Sequence, residues 1–467
     1  MSQATLTFTL NSEIETPRHA APTMTLLEYL RATGRIGTKE GCGDGDCGAC
    51  TVALVGTDTD GKPHYQAVNS CLLPLGSVAG RAVVTVEGVA GETLHPVQQA
   101  MVDTGGSQCG YCTPGFVMSL FAGYYDEQLN DGTVEGNLCR CTGYLPIRRA
   151  ARSLGGPADD DPHLWTLDHV PPLEPLAFEN EENAFFRPSS LDEVFGLLQT
   201  HPDAVLIAGG TDLGLELSHH SGHFPCLVSL EDVEELKVVK AGSSHLEVGA
   251  GLPLSHIENK LRGIFPALDT MLHWFAARQI RNRATLGGNL GTASPIGDLA
   301  PVLLALDAEL RLRNAGSEHL VPLAKFFTGY RQTLLQKGEV IVSVLIPQTL
   351  PEGAVRRLSN AYKVGKRGTY DISIVAAAFT VDLNADGRVV QARLAYGGVA
   401  ATPVRATAVE AALVGKLWND RTVQEAKKSL QTTFKPLDDL RASAAYRNRL
   451  VGNLFEKFYF ETQEVAA

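Results

Sequence analysis

A chain of 467 residues exceeds what a single hydrophobic core sustains, so three or four domains are expected. Apolar residues at 44% and charged residues at 20% exclude a disordered chain, and a net charge of −12 argues against phosphate-backbone binding, so nucleic acid is not an expected partner. No run of about 18 apolar residues occurs, so no membrane span is expected, and the N-terminal alternation through Thr5-Leu-Thr-Phe-Thr-Leu10 lacks the charged and apolar regions of an export signal, so a cytoplasmic location is expected.

Residues 1–87 show short β-type runs at 5–10, 50–55 and 82–87 around a helix-like segment at 25–32, which predicts a small α+β unit. From His95 the pattern turns helical, with Pro96 suited to a first turn, a second helix at 114–125 and a third at 147–154, giving a helical domain over 88–157. Residues 158–178, rich in proline and acid, read as a linker. Alternating strand and helix signals over 179–350 predict a second α+β domain. Strands at 372–381 and 389–396, then helix-like stretches, predict a last α+β domain over 351–467.

Eight of the nine cysteines crowd into the first third of the chain, which favours metal ligation over disulfides. Cys42-Gly-Asp-Gly-Asp-Cys47-Gly-Ala-Cys50, with Cys71 beyond, has the C-x4-C-x2-C…C spacing of plant-type [2Fe-2S] ligation. Three thiolates on one tight loop can wrap a cluster, and the fourth closes the site from a separate element. Glycines at 41, 43, 45 and 48 allow positive φ and turn N–H groups toward the sulfurs. The alternative, a Zn(Cys)4 site in a non-enzymatic interaction module, more commonly uses two separated C-x2-C knuckles. Cys109-Gly-Tyr-Cys112 and Cys139-Arg-Cys141 supply four more thiolates. By spacing alone this set stays open to zinc or redox chemistry; after a ferredoxin-type loop it reads most economically as a second cluster. Cys226 stands apart and reads as a reduced, partly buried thiol.

Leu206, Ile207, Ala208, Gly209, Gly210, Thr211, Asp212 and Leu213 follow a strand, and the glycines would let main-chain N–H groups approach a pyrophosphate. The run from Ala284 to Asp298, rich in glycine and hydroxyl groups, is of the kind that lines nucleotides or forms surface loops. Neither stretch carries G-x-G-x-x-G, so a Rossmann-type site is not supported, and the G-x-S-x-G and P-loop motifs are absent. His219, His220 and His223 read as a solvated loop without partners.

Four stretches, Gly37-Thr-Lys-Glu-Gly-Cys42 through Cys50-Thr-Val, His95-Pro-Val-Gln-Gln-Ala-Met101, Gln108-Cys-Gly-Tyr-Cys-Thr-Pro-Gly115 and Gly136-Asn-Leu-Cys-Arg-Cys-Thr-Gly-Tyr144, resemble the molybdenum hydroxylases, most closely the iron–sulfur/FAD subunits of the xanthine dehydrogenase group. The resemblance implies a β-grasp ferredoxin-like domain whose cluster is held by Cys42, Cys47, Cys50 and Cys71. It implies a four-helix domain whose cluster is held by Cys109, Cys112, Cys139 and Cys141. It further implies a FAD-binding domain of the vanillyl-alcohol-oxidase-like type and a C-terminal α+β domain. In it the 206–213 loop cradles the pyrophosphate; Ala284, Thr285, Gly287, Gly288, Asn289 and Thr292 add contacts. Phe275 lies beside the isoalloxazine, and Asp298, Ile341 and Lys363 complete the site. Electrons would pass from a molybdopterin-binding large subunit, in a heterotetramer of two heterodimers, through both clusters to FAD and then NAD+, turning xanthine into urate. No substrate-hydroxylating residue is expected here. An equivalent subunit acting on an aldehyde or another N-heterocycle is the alternative.

Overall fold

The computed structural model describes residues 5–58, 60–126, 129–368 and 371–464. They form two compact units: Met1–Val233 with Pro253–His256 and Ala276–Ala284, and Glu234–Leu252 with Ile257–Phe275 and Thr285–Ala467.

The first unit begins with a five-stranded sheet in the order Glu13–Glu15, Phe8–Leu10, Ala82–Val84, Thr51–Thr57, Pro63–Asn69. Phe8–Leu10 runs parallel to Ala82–Val84, and the other pairs are antiparallel. Successive strand side chains point to opposite faces, and the strand Thr51–Thr57 uses both. Val52 and Leu54 pack with Phe8, Leu10 and the helix Leu26–Ala32, whose start is fixed by a Thr25–Glu28 capping box. Ala53 and Val55 face the other way, against Val97, Phe116, Leu120 and Ile147. These apolar residues belong to the helices Pro96–Asp103, Thr113–Tyr125 and Leu145–Ser153. A strand buried on both faces cannot alternate apolar with polar, which is why this run looks uniformly apolar.

The predicted linker contains a helix, Pro162–Asp168. Asp161 caps it by accepting from the His163 N–H, and Pro162 starts its first turn. Beyond it lies a four-stranded sheet in the order Leu176–Glu179, Ala184–Arg187, Cys226–Ser229, Val205–Ile207, with the last three strands parallel.

Besides a two-stranded sheet, Phe327–Gly329 with Gln332–Thr333, the second unit holds two larger antiparallel sheets. One has the order Val239–Ala241, His245–Gly249, Val340–Pro347, Glu309–Arg313, Glu318–Pro322; the other, Arg356–Val364, Val375–Leu383, Val389–Gly397, Val404–Arg405. Every residue of Val375–Leu383 is buried. Phe379 and Tyr396 pack with Phe455 and Phe458 of the helix Ala444–Glu464. Among the described residues no helix is long and apolar enough to cross a membrane.

Candidate cluster and flavin sites

The first cysteine loop brings its sulfurs together by backbone geometry. Cys42 N–H donates to Cys47 Sγ, and the N–H groups of Asp44 and Cys47 donate to Cys42 Sγ, each at 3.3 Å. Gly41 is required by close approach, because a Cβ there would stand 2.5 Å from Cys47 Sγ. Gly48 is required twice: its φ is 66°, and its Cβ would meet Gly136 O at 2.3 Å. Cys71, on the turn Ser70–Leu72, faces Cys50 with the two sulfurs 3.4 Å apart, both buried. The thiols are therefore paired. Hydrogen bonding from Cys47 draws Cys42 down, hydrogen bonding from Cys71 draws Cys50 down, and the two donors are held up in turn.

The second set is also paired. Cys112 precedes the helix Thr113–Tyr125, while Cys139 and Cys141 lie on the turn before the helix Leu145–Ser153. Cys112 is pushed up to about 12, first by burial and then by its hydrogen bond to Cys139; Cys141 is raised first by its hydrogen bond to Cys109. Thr142 contacts Cys139 Sγ through its hydroxyl at 3.1 Å and donates its N–H at 3.4 Å. The Tyr144 hydroxyl, on a residue with φ of 69°, accepts the Cys139 N–H at 3.1 Å. Cys109 and Cys141 are exposed, Cys139 is buried, and all nine cysteines are free.

Two pairs of thiols in each set suit a binuclear centre, in which each of two irons takes two cysteine sulfurs. Among the described residues no three His, Cys, Asp or Glu side chains are grouped as ligands of a single ion. The first donor set fits the cluster that its spacing indicates, and the second, open to zinc or redox chemistry by spacing alone, is paired in the same way. A hydrogen bond from Leu138 N–H to Cys47 O, at 2.9 Å, joins the two cysteine loops directly.

The expected histidine loop differs from its reading. His219 Nε2 lies 2.5 Å from Asp44 Oδ1, between Cys42 and Cys47 in sequence, and His220 Nε2 lies 3.0 Å from Glu28 Oε1. The helix Leu213–Ser218 carries these residues to the cluster loop, and its Gly214 would, with a Cβ, meet Leu72 O at 2.4 Å.

The residues expected around a flavin divide between the two units. In the first, the strand Val205–Ile207 leads into the 206–213 loop. Ile207 is in the core, Leu206, Ala208, Thr211 and Leu213 are half-buried, and Asp212 is exposed. A Cβ on Gly209 would stand 1.7 Å from Arg283 O, and Gly210 has φ of 76°. Ala284 O accepts the Leu254 N–H.

In the second unit Thr285 caps the helix Leu286–Gly291 by accepting from Gly288 N–H, and Thr292 donates to Gly288 O. Gly287 N–H donates to Ala250 O, and Ile341 Cδ1 lies 3.9 Å from the Cβ position of Gly291. Asn289 Oδ1 is buried without a hydrogen-bond partner, a polar atom that a bound group would satisfy. The Lys363 side chain is 3% exposed, and its Nζ donates to Asp298 Oδ2 at 2.8 Å and to the carbonyl of Trp274, the neighbour of buried Phe275, at 3.1 Å. Asp298 also accepts from Ser373 Oγ. A glycine-rich run with an orphan amide oxygen beside a buried ion pair fits a polar cofactor.

Models of known families cover most of the chain. Residues 8–75 match the 2Fe-2S iron–sulfur cluster binding domain, and 85–152 the [2Fe-2S] binding domain. Residues 177–349 match the FAD binding domain in molybdopterin dehydrogenase, and 360–462 the CO dehydrogenase flavoprotein C-terminal domain. Two [2Fe-2S] domains followed by a FAD-binding domain define an iron–sulfur flavoprotein.

The chain is 34% identical to the xanthine dehydrogenase of Emericella nidulans over 98% of its own length and 38% of that protein. It is 36% identical to xanthine dehydrogenase 2 of Arabidopsis thaliana over 93% and 38%. It therefore spans about two fifths of the length of these curated relatives. Among solved structures, carbon monoxide dehydrogenase from Hydrogenophaga pseudoflava aligns with a TM-score of 0.55 and 28% identity, covering 61% of this chain and 96% of that one. Quinoline 2-oxidoreductase from Pseudomonas putida 86 aligns with 0.56 and 27%, covering 62% and 99%. The chain belongs to the molybdenum hydroxylase family and matches the iron–sulfur/FAD region of the xanthine dehydrogenases.

Proposed function

We propose that this chain is the iron–sulfur/FAD electron-transfer subunit of a xanthine dehydrogenase. Cys42, Cys47, Cys50 and Cys71 hold one [2Fe-2S] cluster, and Cys109, Cys112, Cys139 and Cys141 hold the other. The 206–213 loop with Ala284, and separately Phe275, Thr285, Gly287, Gly288, Asn289, Thr292, Asp298, Ile341 and Lys363, hold FAD. When bound, the clusters carry single electrons, and the flavin can exchange them with a two-electron acceptor, here NAD+. A molybdopterin-binding partner supplies the electrons and hydroxylates the purine, in a cytoplasmic assembly.

The chain's own residues place and tune these groups. N–H groups of the 42–47 loop and of Thr142 aim at cysteine sulfurs, where they stabilise thiolate charge. The exposed pair Cys109 and Cys141 gives the second set an outward face. Lys363 and Asp298 form a fixed, buried pair next to the Phe275 segment.

The observation that carries the proposal is the two-by-two pairing of eight free thiols in two sets joined by the Leu138–Cys47 hydrogen bond. Iron, zinc and flavin are to be measured on the anaerobically purified chain, with its visible spectrum. Two clusters and one flavin mean four irons and one FAD per chain; zinc without flavin would sink the reading. The purine assignment is tested on the complex with its partner, given xanthine and NAD+. Failure to make urate and NADH, with turnover of another heterocycle, would replace the substrate and keep the electron-transfer role.

A further inference from the structure

Gln279 belongs by sequence to the flavin segment, yet it lies in the compact unit that holds both cysteine sets. Its helix, Arg278–Arg281, is wedged among them. Ile280 packs on Cys50, Cys71 and Leu72, Arg281 pairs with Glu135 at 2.9 Å, and Asn282 donates to Ala67 O at 3.0 Å. Gln279 itself is 1% exposed.

Its Nε2 donates to Ser119 Oγ at 3.0 Å and to Asn137 Oδ1 at 3.2 Å, and Ser119 also donates to Asn137 Oδ1 at 2.7 Å. Asn137 Nδ2 in turn donates to Gly48 O at 2.9 Å. This hydrogen-bonded chain reaches both cysteine loops: Gly48 stands between Cys47 and Cys50, and Asn137 precedes Leu138 and Cys139. The adjoining residue, Leu138, makes the backbone hydrogen bond between the loops. Space enforces the same register. A Cβ on Gly115 would meet Gly48 O at 2.2 Å, and a Cβ on Gly136 would meet Gln279 Oε1 at 1.9 Å. Buried amides are retained where their hydrogen bonds specify one arrangement, because an unmade bond there is costly.

We infer that Gln279 is a positioning residue that sets the separation and orientation of the two cysteine sets, acting through Asn137 on the Leu138–Cys47 junction. The inference rests on the proposed cluster ligation. It gives the segment that follows Phe275 a second role, which is to carry flavin-domain sequence into the seam between the cluster loops.

The test is Gln279→Met in the full chain, which conserves volume and removes the donor. Iron content and low-temperature electron paramagnetic resonance are read after dithionite reduction of both clusters. The magnetic interaction between two reduced clusters depends steeply on their distance and orientation, which a merely stabilising residue would not alter. The expected result is four irons per chain, as in the native protein, with the intercluster splitting lost or shifted. Ser119→Ala, a milder cut in the same network, is expected to shift it in the same sense. Unaltered splitting in both variants overturns the inference, and so does iron loss in Gln279→Met with unaltered splitting in Ser119→Ala. Zinc in the native chain instead fails the cluster reading, and metal analysis shows that before any variant is made.

Discussion

At Cys50 a serine keeps the shape of the side chain and exchanges a soft thiolate for a hydroxyl that is a poor iron ligand at neutral pH. Its sulfur is buried against Cys71, in a small core cluster with Leu27, Leu72 and Ile280. Cys50→Ser is therefore expected to lower iron from four to about two per chain and leave the Cys139 set loaded; four irons retained would remove Cys50 from the ligands. His95 makes a different argument. Its Nδ1 accepts the Val97 N–H at 3.2 Å, and its Nε2 lies 2.9 Å from the Tyr125 hydroxyl, which donates to Asp161 at 2.8 Å. A proton added at Nδ1 would face an N–H donor. Burial, with His163 nearby, holds His95 down to about 4, against an ordinary value of 6.5. Between those values the unfolded chain binds a proton that the folded chain refuses, so this contribution to stability is present above about pH 6.5 and is lost as pH falls toward 4. Denaturant midpoints at pH 7 and pH 5 should differ less for His95→Gln than for the native chain. Equal differences would show that another group titrates.

Two glycines separate space from propensity at the scale of the element. Gly196 lies inside the helix Leu191–Thr200 with nothing within 4 Å of its Cβ position. Gly196→Ala is expected to stabilise the fold by about 0.5–1 kcal/mol through lower unfolded-state entropy. Gly209 follows the strand Val205–Ile207, and the atom its Cβ would meet is a backbone oxygen, Arg283 O. That segment cannot yield, because Arg283 is tied to Glu231 through two hydrogen bonds. Gly209→Ala is expected to cost about 3 kcal/mol or more, read as a lowered melting temperature, and a change within error would mean that the loop moves freely. Much of the element structure is legible in the sequence: Pro96 and Pro114 mark helix starts, and the cysteine spacings mark the cluster loops, because those signals are local. The helix Pro162–Asp168 escapes such a reading although Asp161 and Pro162 announce it, since the surrounding acid and proline suggest a linker. The contacts of His219 with Asp44 and of Gln279 with Asn137 join residues 175 and 142 positions apart. No periodicity or spacing reports such pairs; only the fold that brings the segments together does.

At the scale of the whole molecule the chain carries acceptors and donors of electrons and, by the proposal, no centre that hydroxylates substrate. Each unit has its own apolar core: Val52, Leu54 and Phe8 in the first, Phe379, Tyr396 and Phe455 in the second. With an apolar core in each unit, the chain is expected to fold without a partner. This predicts a half-reaction that needs no partner. The purified chain, loaded with iron and FAD, is expected to oxidise NADH with a one-electron dye as acceptor, and to leave xanthine untouched until a molybdopterin-binding partner is added. Cys139→Ser should preserve NADH-to-dye turnover at the flavin while abolishing xanthine-to-NAD+ turnover in the reconstituted complex, because it removes one of the two clusters through which the proposal routes the electrons. NADH left unoxidised by a chain with full flavin content would assign the final electron acceptor to another carrier, and xanthine turnover by the chain alone would place a hydroxylating centre where none is proposed.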